Sequence, residues 1–291
     1  MPVHEIRYRP WEGTLQPPAL RFFSIPKLTL MAVFNKWIAL GLFVGVIHVL
    51  AYTGYLMIFT NPLISEMLNI TVPMEIISTS RIFSNFYSVQ FIACLVGTVI
   101  VAPKSISPEM QHKVLPMIYA RPLTKASYIG GKLAAIGVLL SALTWVPALI
   151  LFILMMAIYP EGHSFWEDFW GTSLPLGLHA VVYGILLMVT LGIFALACSS
   201  VTKNHVHAGV LFLIILFGTA FITSFMQEHI LAAFPDLSIL HIFNSLSFLW
   251  FTETPPDTIA PWKVWTGMAV WVIGSFLFME WKLRAVDVYR D

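Results

Sequence analysis

The residues whose types could do chemistry are few. His48 and His179 fall inside long apolar stretches, where paired imidazoles at matching depth would suit an axially ligated haem. The depths do not match. His48 lies near the middle of one stretch and His179 in the outer part of another, with no second pair. His205 and His207 stand two apart beside Lys203, without a Cys or carboxylate neighbour to complete a metal set. All four read as structural or interfacial histidines. A phosphate-binding P-loop needs Gly-x-x-x-x-Gly-Lys-Ser/Thr, so that backbone amides wrap the phosphates and a hydroxyl holds magnesium. The one Gly-Lys pair, Gly131-Lys132, has Ala126 in place of the first glycine and Leu133 in place of the hydroxyl. No Ser/His/Asp set, His-Glu-x-x-His or intramembrane acidic pair is present, which leaves an intramembrane hydrolase or proton-coupled pump poorly supported. The expectation is a chain that is not itself an enzyme and binds no metal or cofactor of its own.

The elements that carry these residues are membrane helices. Uncharged apolar stretches run over Trp37–Phe59, Ile82–Val101, Leu133–Tyr159, Leu174–Cys198, Ala208–Phe225 and Pro261–Met279, with Lys263 the single charged residue among them. A helix crossing a hydrocarbon core of ~30 Å needs about 20 such residues. Hydrophobic residues make up 58% of the chain and charged ones 11%, against a soluble norm of about 45–50% and 25%. With both termini on one side, that side holds 14 of the 16 Lys/Arg, and only Arg81 and Lys263 remain on the other. An excess of Lys/Arg marks the cytoplasmic face. The expected fold is therefore all-α and integral to the membrane, with six transmembrane helices and cytoplasmic termini. The segment 1–36 is a cytoplasmic N-terminal region with an amphipathic interface helix broken by Pro26, 37–279 the six-helix domain, and 280–291 a cytoplasmic tail. No cleavable signal peptide is expected. Cys94 and Cys198 read as small buried hydrophobes rather than a disulfide, and no nucleic-acid partner is expected.

Gln227–Phe251 is apolar enough to suggest a seventh crossing. Glu228, His229, Pro235, Asp236, His241 and Asn244 argue against it, since ionisable groups inside the bilayer are costly. A seventh span would also place Lys282, Arg284 and Arg290 outside. The segment reads as a re-entrant helical element before the last span. Gly41 and Gly45 form Gly-x-x-x-Gly in the first span, a spacing that lets helix backbones approach, either within the subunit or at a dimer interface. Pro147 in the third span would free a backbone carbonyl and bend that helix. On the outside, Phe165, Trp166, Phe169 and Trp170 suit a membrane–water interface.

The loop between the second and third spans is the most informative. Ser107 before Pro108 and Glu109 reads as a helix start, with serine capping free amides, proline at the first position and a carboxylate at the positive end of the dipole. Pro116 disfavours helical geometry at Leu115, so the expected helix is about two turns, Pro108–Leu115, with Met110 and Val114 on one apolar side and Glu109 exposed.

The run Ser105-Ile106-Ser107-Pro108-Glu109, then Leu115, Arg121-Pro122-Leu123, Tyr128 and Gly131-Lys132, resembles the second cytoplasmic stretch of type-2 ABC (ABC-2) transporter permeases. Tyr8-Arg9-Pro10-Trp11-Glu12-Gly13 is similar to the opening of some members. Pro108 stands where the family often has a charge, and His112-Lys113-Val114 departs from its usual Glu-x-Gly-Thr. The resemblance implies a permease subunit of an ATP-driven exporter in the inner or plasma membrane of a bacterium. It would act as a homo- or heterodimer, coupled to separate cytoplasmic ABC ATPase subunits that hold the ATP and magnesium. A short cytoplasmic coupling helix would use Ser107, Pro108, Glu109, Gln111, His112, Lys113, Leu115 and Arg121, and Gly41 and Gly45 would face the second permease. The rival readings are a haem- or quinone-anchoring subunit of a membrane redox complex and a non-transporting membrane scaffold.

Overall fold

The computed structural model describes residues 23–34, 79–115, 125–157, 174–229, 237–251 and 260–284, together with parts of 39–54 and Met67. The described residues are all-helical. The helices are α1 (Ser24–Val33), α2 (Thr79–Val101), α3 (Pro103–Gln111), α4 (Lys125–Ser141), α5 (Trp145–Ala157), α6 (Leu174–Ser199), α7 (His205–His229), α8 (Ile239–Phe251) and α9 (Pro261–Arg284). Residues 45–52 are also helical and belong to the expected first span. Five helical stretches are long and apolar enough to cross a membrane: Phe83–Gln111, Lys125–Leu154, Leu174–Ser199, His205–Phe225 and Pro261–Leu283. The chain is a multi-pass helical membrane protein by length and composition.

The bundle is organised around α6, which touches α2, α3, α4, α5, α7, α8 and α9. Its last turns are wholly enclosed, with every residue from Thr190 to Ser200 buried. Small residues open its α4–α5 side to close approach. A Cβ on Gly177 would meet the Phe152 ring at 2.6 Å, one on Gly184 the Trp145 backbone nitrogen at 2.7 Å, and one on Gly192 the Leu133 side chain at 3.2 Å. Van der Waals packing of this kind holds helices together in lipid, where no hydrophobic drive acts between them.

α2, α6 and α9 run from one end of the bundle to the other, and α7 returns. α3 stands at the end where α2 and α6 finish, here termed the α3 end. α8 is different. Phe251 stacks on Phe83, Ser247 meets Ser84, and Phe243 meets Phe91, so α8 runs antiparallel to α2 toward the far end. Just before its start, the Leu237 carbonyl accepts the indole N–H of Trp271, near the middle of α9, at 2.8 Å. Thirteen residues, about 20 Å of helix, therefore cover only part of the bundle depth.

Two expectations are corrected locally. Pro26 does not break the amphipathic segment: it lies in the first turn of α1, where a missing N–H costs nothing. α1 packs along α4, with Ile25 filling the space over Gly131. The expected third span is present as the stretch Lys125–Leu154, with a turn at residues 142–144 between α4 and α5. Gly45 packs inside the subunit, where a Cβ would meet the Leu143 side chain at 2.8 Å; a Cβ on Gly41 would meet nothing within 4 Å. Cys94 and Cys198 are buried free thiols.

Candidate functional site

The helix at the α3 end starts earlier than its sequence suggests. Pro103, not Pro108, occupies the first helical position, following Ala102, which lends no side-chain cap. Pro108 sits inside the helix. The serine that binds the start of this helix comes from another element. Ser199, the last residue of α6, accepts the backbone N–H groups of Ile106 (3.2 Å) and Ser107 (3.0 Å) on its hydroxyl and donates to the Pro103 carbonyl (2.9 Å). The Ser107 hydroxyl donates to the Ser199 carbonyl at 2.9 Å. Ser107 is thus a buried rivet to α6 rather than a cap, and Ile106 beside it has no exposed surface. Ile106 and Ser107 are the fourth and fifth residues of α3, past the start where amides lack intrahelical acceptors. The Ser199 contacts therefore tie the helix to α6 rather than cap it, and no local motif could reveal them.

The other end of α3 is closed by a Schellman turn. The Val114 N–H bonds the Glu109 carbonyl at 2.9 Å and the Lys113 N–H bonds the Met110 carbonyl at 3.3 Å, the paired pattern of that motif. Lys113 holds the left-handed position, φ 54°, which glycine usually fills. Val114 and Leu115 therefore lie beyond α3, so Met110 and Val114 do not share a helix face.

Glu109 faces inward. Its carboxylate accepts the phenolic hydroxyl of Tyr128 at 2.5 Å and the ammonium of Lys132, both from α4. The Lys132 side chain is 5% exposed and that of Glu109 25%. The ammonium also lies 5.5 Å from the Tyr128 ring centre, near enough for a cation–π contribution. A charged pair this enclosed persists only when its remaining hydrogen-bonding capacity is met, and Tyr128 meets part of it. The expected exposed Glu109 is corrected: the carboxylate joins α3 to α4. The residues that α3 presents to solvent are Gln111, His112 and Lys113. Leu115 is buried, and Arg121 lies outside the described residues, as do the 8–13 and 165–170 segments.

Deeper in the bundle, Pro147 has the expected effect. It lacks the N–H that would bond the Leu143 carbonyl four residues earlier. That carbonyl instead accepts the Gln90 side-chain amide at 2.7 Å and the Cys94 thiol at 3.1 Å. The Leu143 side chain occupies the space over Gly45 and Gly97. Gln90 Oε1 lies 2.6 Å from His48 Nδ1. Because the Gln90 amide nitrogen is committed to a carbonyl, its oxygen must accept, so His48 carries its proton on Nδ1. The His48 ring stacks on Phe86 at 5.2 Å, and that of His179 stacks on Trp250 at 5.1 Å. His205 and His207 are exposed at the start of α7. Among the described residues, no group of three His, Cys, Asp or Glu stands together as a metal site.

The structure thus gathers Ser107, Glu109, Ser199, Tyr128 and Lys132 into one fastening of α3, and leaves Gln111, His112 and Lys113 as its open face. Ser199 and Gln90 had no signal in their own neighbourhoods. Lys132 and Tyr128 did have one: a lysine at the start of an apolar helix, with a tyrosine four residues before it, invites a carboxylate partner. No family model and no curated protein matches the chain.

Proposed function

We propose that this chain is the permease subunit of an ABC-2 type exporter, coupled through α3 to a cytoplasmic ATPase. The observation that carries the reading is the mounting of α3. A short helix at the end of the bundle is fixed to α6 by Ser199 and Ser107 and to α4 by Glu109, Tyr128 and Lys132, while its last turn presents Gln111, His112 and Lys113. A lever needs this construction: a rigid joint to the moving helices and a free polar tip. The tip's Lys113, with Lys104 part-exposed on the same helix, suits a partner groove that is acidic at its rim. The sequence pattern around Ser105–Glu109 and Arg121–Leu123 resembles the same family.

In this reading the first span, around residues 45–52, completes a six-helix permease with cytoplasmic termini, and α8 is the re-entrant element before the last span. The working unit is a dimer of permeases with two ATPases, which supply ATP, magnesium and hydrolysis. The α4–α5 break, with its freed Leu143 carbonyl held by Gln90, is a position where the third span can change its bend as the substrate path reorients. The test is purification from the native membrane, identification of a co-purifying polypeptide with a P-loop, and measurement of its ATP turnover. Charge reversal at Lys113 together with His112→Glu should release that polypeptide while the permease still inserts. Retention of the ATPase by this variant removes α3 from the coupling, and absence of any ATPase removes the transporter reading.

A further inference from the structure

A second feature lies at the far end of the bundle. Between α2, α6 and α8 there is a cleft of about 470 Å³, within the range of small-molecule sites, about 300–1,000 Å³. Among the described residues its walls carry no charge. Asn85 and Ser88 of α2 and Asn244 and Ser247 of α8 supply amides and hydroxyls, and Phe91 and Phe248 supply aromatic faces. The floor is set by two tyrosines already spent on structure: Tyr87 donates to the Ala180 carbonyl and Tyr183 to the Phe243 carbonyl.

Asn85, Ser88 and Asn244 are exposed, although they lie about two turns inside apolar helices, roughly 10 Å from the helix ends at 1.5 Å per residue. Polar side chains at such depth do not face lipid; they face a polar path or a partner group. A cavity of comparable volume between α6, α7 and α9 is walled mainly by apolar residues such as Phe194, Ile215, Val270 and Phe278, in contrast to the polar lining of this cleft.

We propose that the α2–α6–α8 cleft binds an uncharged, hydroxyl-rich head group, of which a glycosyl ring is the chemical type. The two asparagines can each donate and accept, matching hydroxyls that do both. The aromatic faces suit the apolar faces of a sugar ring, and the described lining residues offer no charge to offset a desolvated phosphate or ammonium. The proposal rests on the permease reading, whose transported substrate it would specify by class.

The experiment uses the full chain in lipid vesicles with two photoreactive probes, dodecyl maltoside and dodecyl phosphate, each carrying a diazirine beside the head group. Adducts are mapped by mass spectrometry, and free maltose serves as competitor. The maltoside should label peptides spanning 84–91 and 240–248, and dodecyl phosphate should not. Asn85→Leu with Asn244→Leu should weaken that labelling about tenfold, equivalent to about 1.4 kcal/mol. Asn85→Gln alone, which keeps the amide, should retain most of it. Competition by maltose assigns the affinity to the head group alone, and its failure assigns it to a head carried on a lipid tail; both keep the site. Equal labelling by both probes, or labelling unchanged in the double variant, overturns the proposal. So does absence of cleft labelling together with loss of a dimer in the double variant, which makes the cleft a contact between copies. Selective labelling without any ATPase partner keeps the site and removes transport, whereas an ATPase partner with unselective labelling removes only the site.

Discussion

Replacing Glu109 by Gln removes the counter-charge of an ammonium whose side chain is 5% exposed. Breaking one half of a buried pair costs about 3–5 kcal/mol, because the remaining charge is left without compensation. Glu109 itself is a quarter exposed, so water reaches one side of the pair and lowers the figure to about 2–3 kcal/mol. The Tyr128 hydroxyl keeps an acceptor in the Gln side chain, so its bond is weakened rather than lost. Lys132→Met removes the ammonium and leaves the less buried carboxylate with Tyr128, which should cost less. The double variant Glu109→Gln/Lys132→Met leaves neither charge and should recover most of the loss. Unfolding of the four proteins in mixed micelles should give a coupling of about 2 kcal/mol, with the Glu109→Gln midpoint on the order of 5–10 °C below wild type. Co-purification of the ATPase should fall in Glu109→Gln and return in the double variant, since the carboxylate acts by holding α3 rather than by touching the partner. Additive effects within about 0.5 kcal/mol would refute the pair. Lost co-purification in the double variant despite restored stability would place Glu109 in the docking surface after all.

Gln90→Leu removes two interhelical hydrogen bonds, each worth about 0.6 kcal/mol in lipid, and should lower stability by about 1–2 kcal/mol by the same unfolding measurement; no change would mean that the Cys94 thiol alone suffices for the Leu143 carbonyl. In the wild type, nitrogen chemical shifts should show His48 as the Nδ1–H tautomer, and an Nε2–H tautomer would reverse the Gln90 orientation. Lys113→Gly should relieve a left-handed backbone that costs an ordinary residue about 1–2 kcal/mol, slowing hydrogen exchange at residues 113–114; faster exchange would show that the Schellman turn depends on the lysine side chain. Cysteines at 165 and 254 should react with an impermeant reagent from outside, and those at 113 and 287 only after permeabilisation. Labelling of 287 from outside would exclude cytoplasmic termini.

The elements were largely legible because apolar runs without charge are an unambiguous signal. The stretches ending at Val101 and Cys198 meet α2 and α6 almost residue for residue. Pro147 was legible too, since the loss of its N–H acts at a fixed offset of four residues. What the sequence misplaced was α3, and the reason is specific. Ser107-Pro108-Glu109 satisfies every local rule for a helix start, but Ala102-Pro103 offers one five residues earlier, and Ser199 on α6 stabilises that earlier start from 92 residues away. Glu109 was misread in the same way: its exposure depends on where Tyr128 and Lys132 fall, which is a matter of packing rather than pattern. Gly45 shows the limit of small-residue motifs, whose spacing permits close approach without naming the helix that approaches. The polar cleft draws on α2, α6 and α8, and no single segment carries its signature.

The most direct test of the coupling role places one reactive cysteine on the open tip of α3. Cys94 and Cys198 are buried, so His112→Cys can be the one accessible thiol among the described residues. A short bifunctional cross-linker applied to native membranes should join position 112 to a single polypeptide that carries a P-loop, with a yield that changes on adding ATP and magnesium. A cysteine at the far end, Phe248→Cys, should give no such adduct. Failure of position 112 to capture any ATPase, or an equal yield from position 248, would contradict the account.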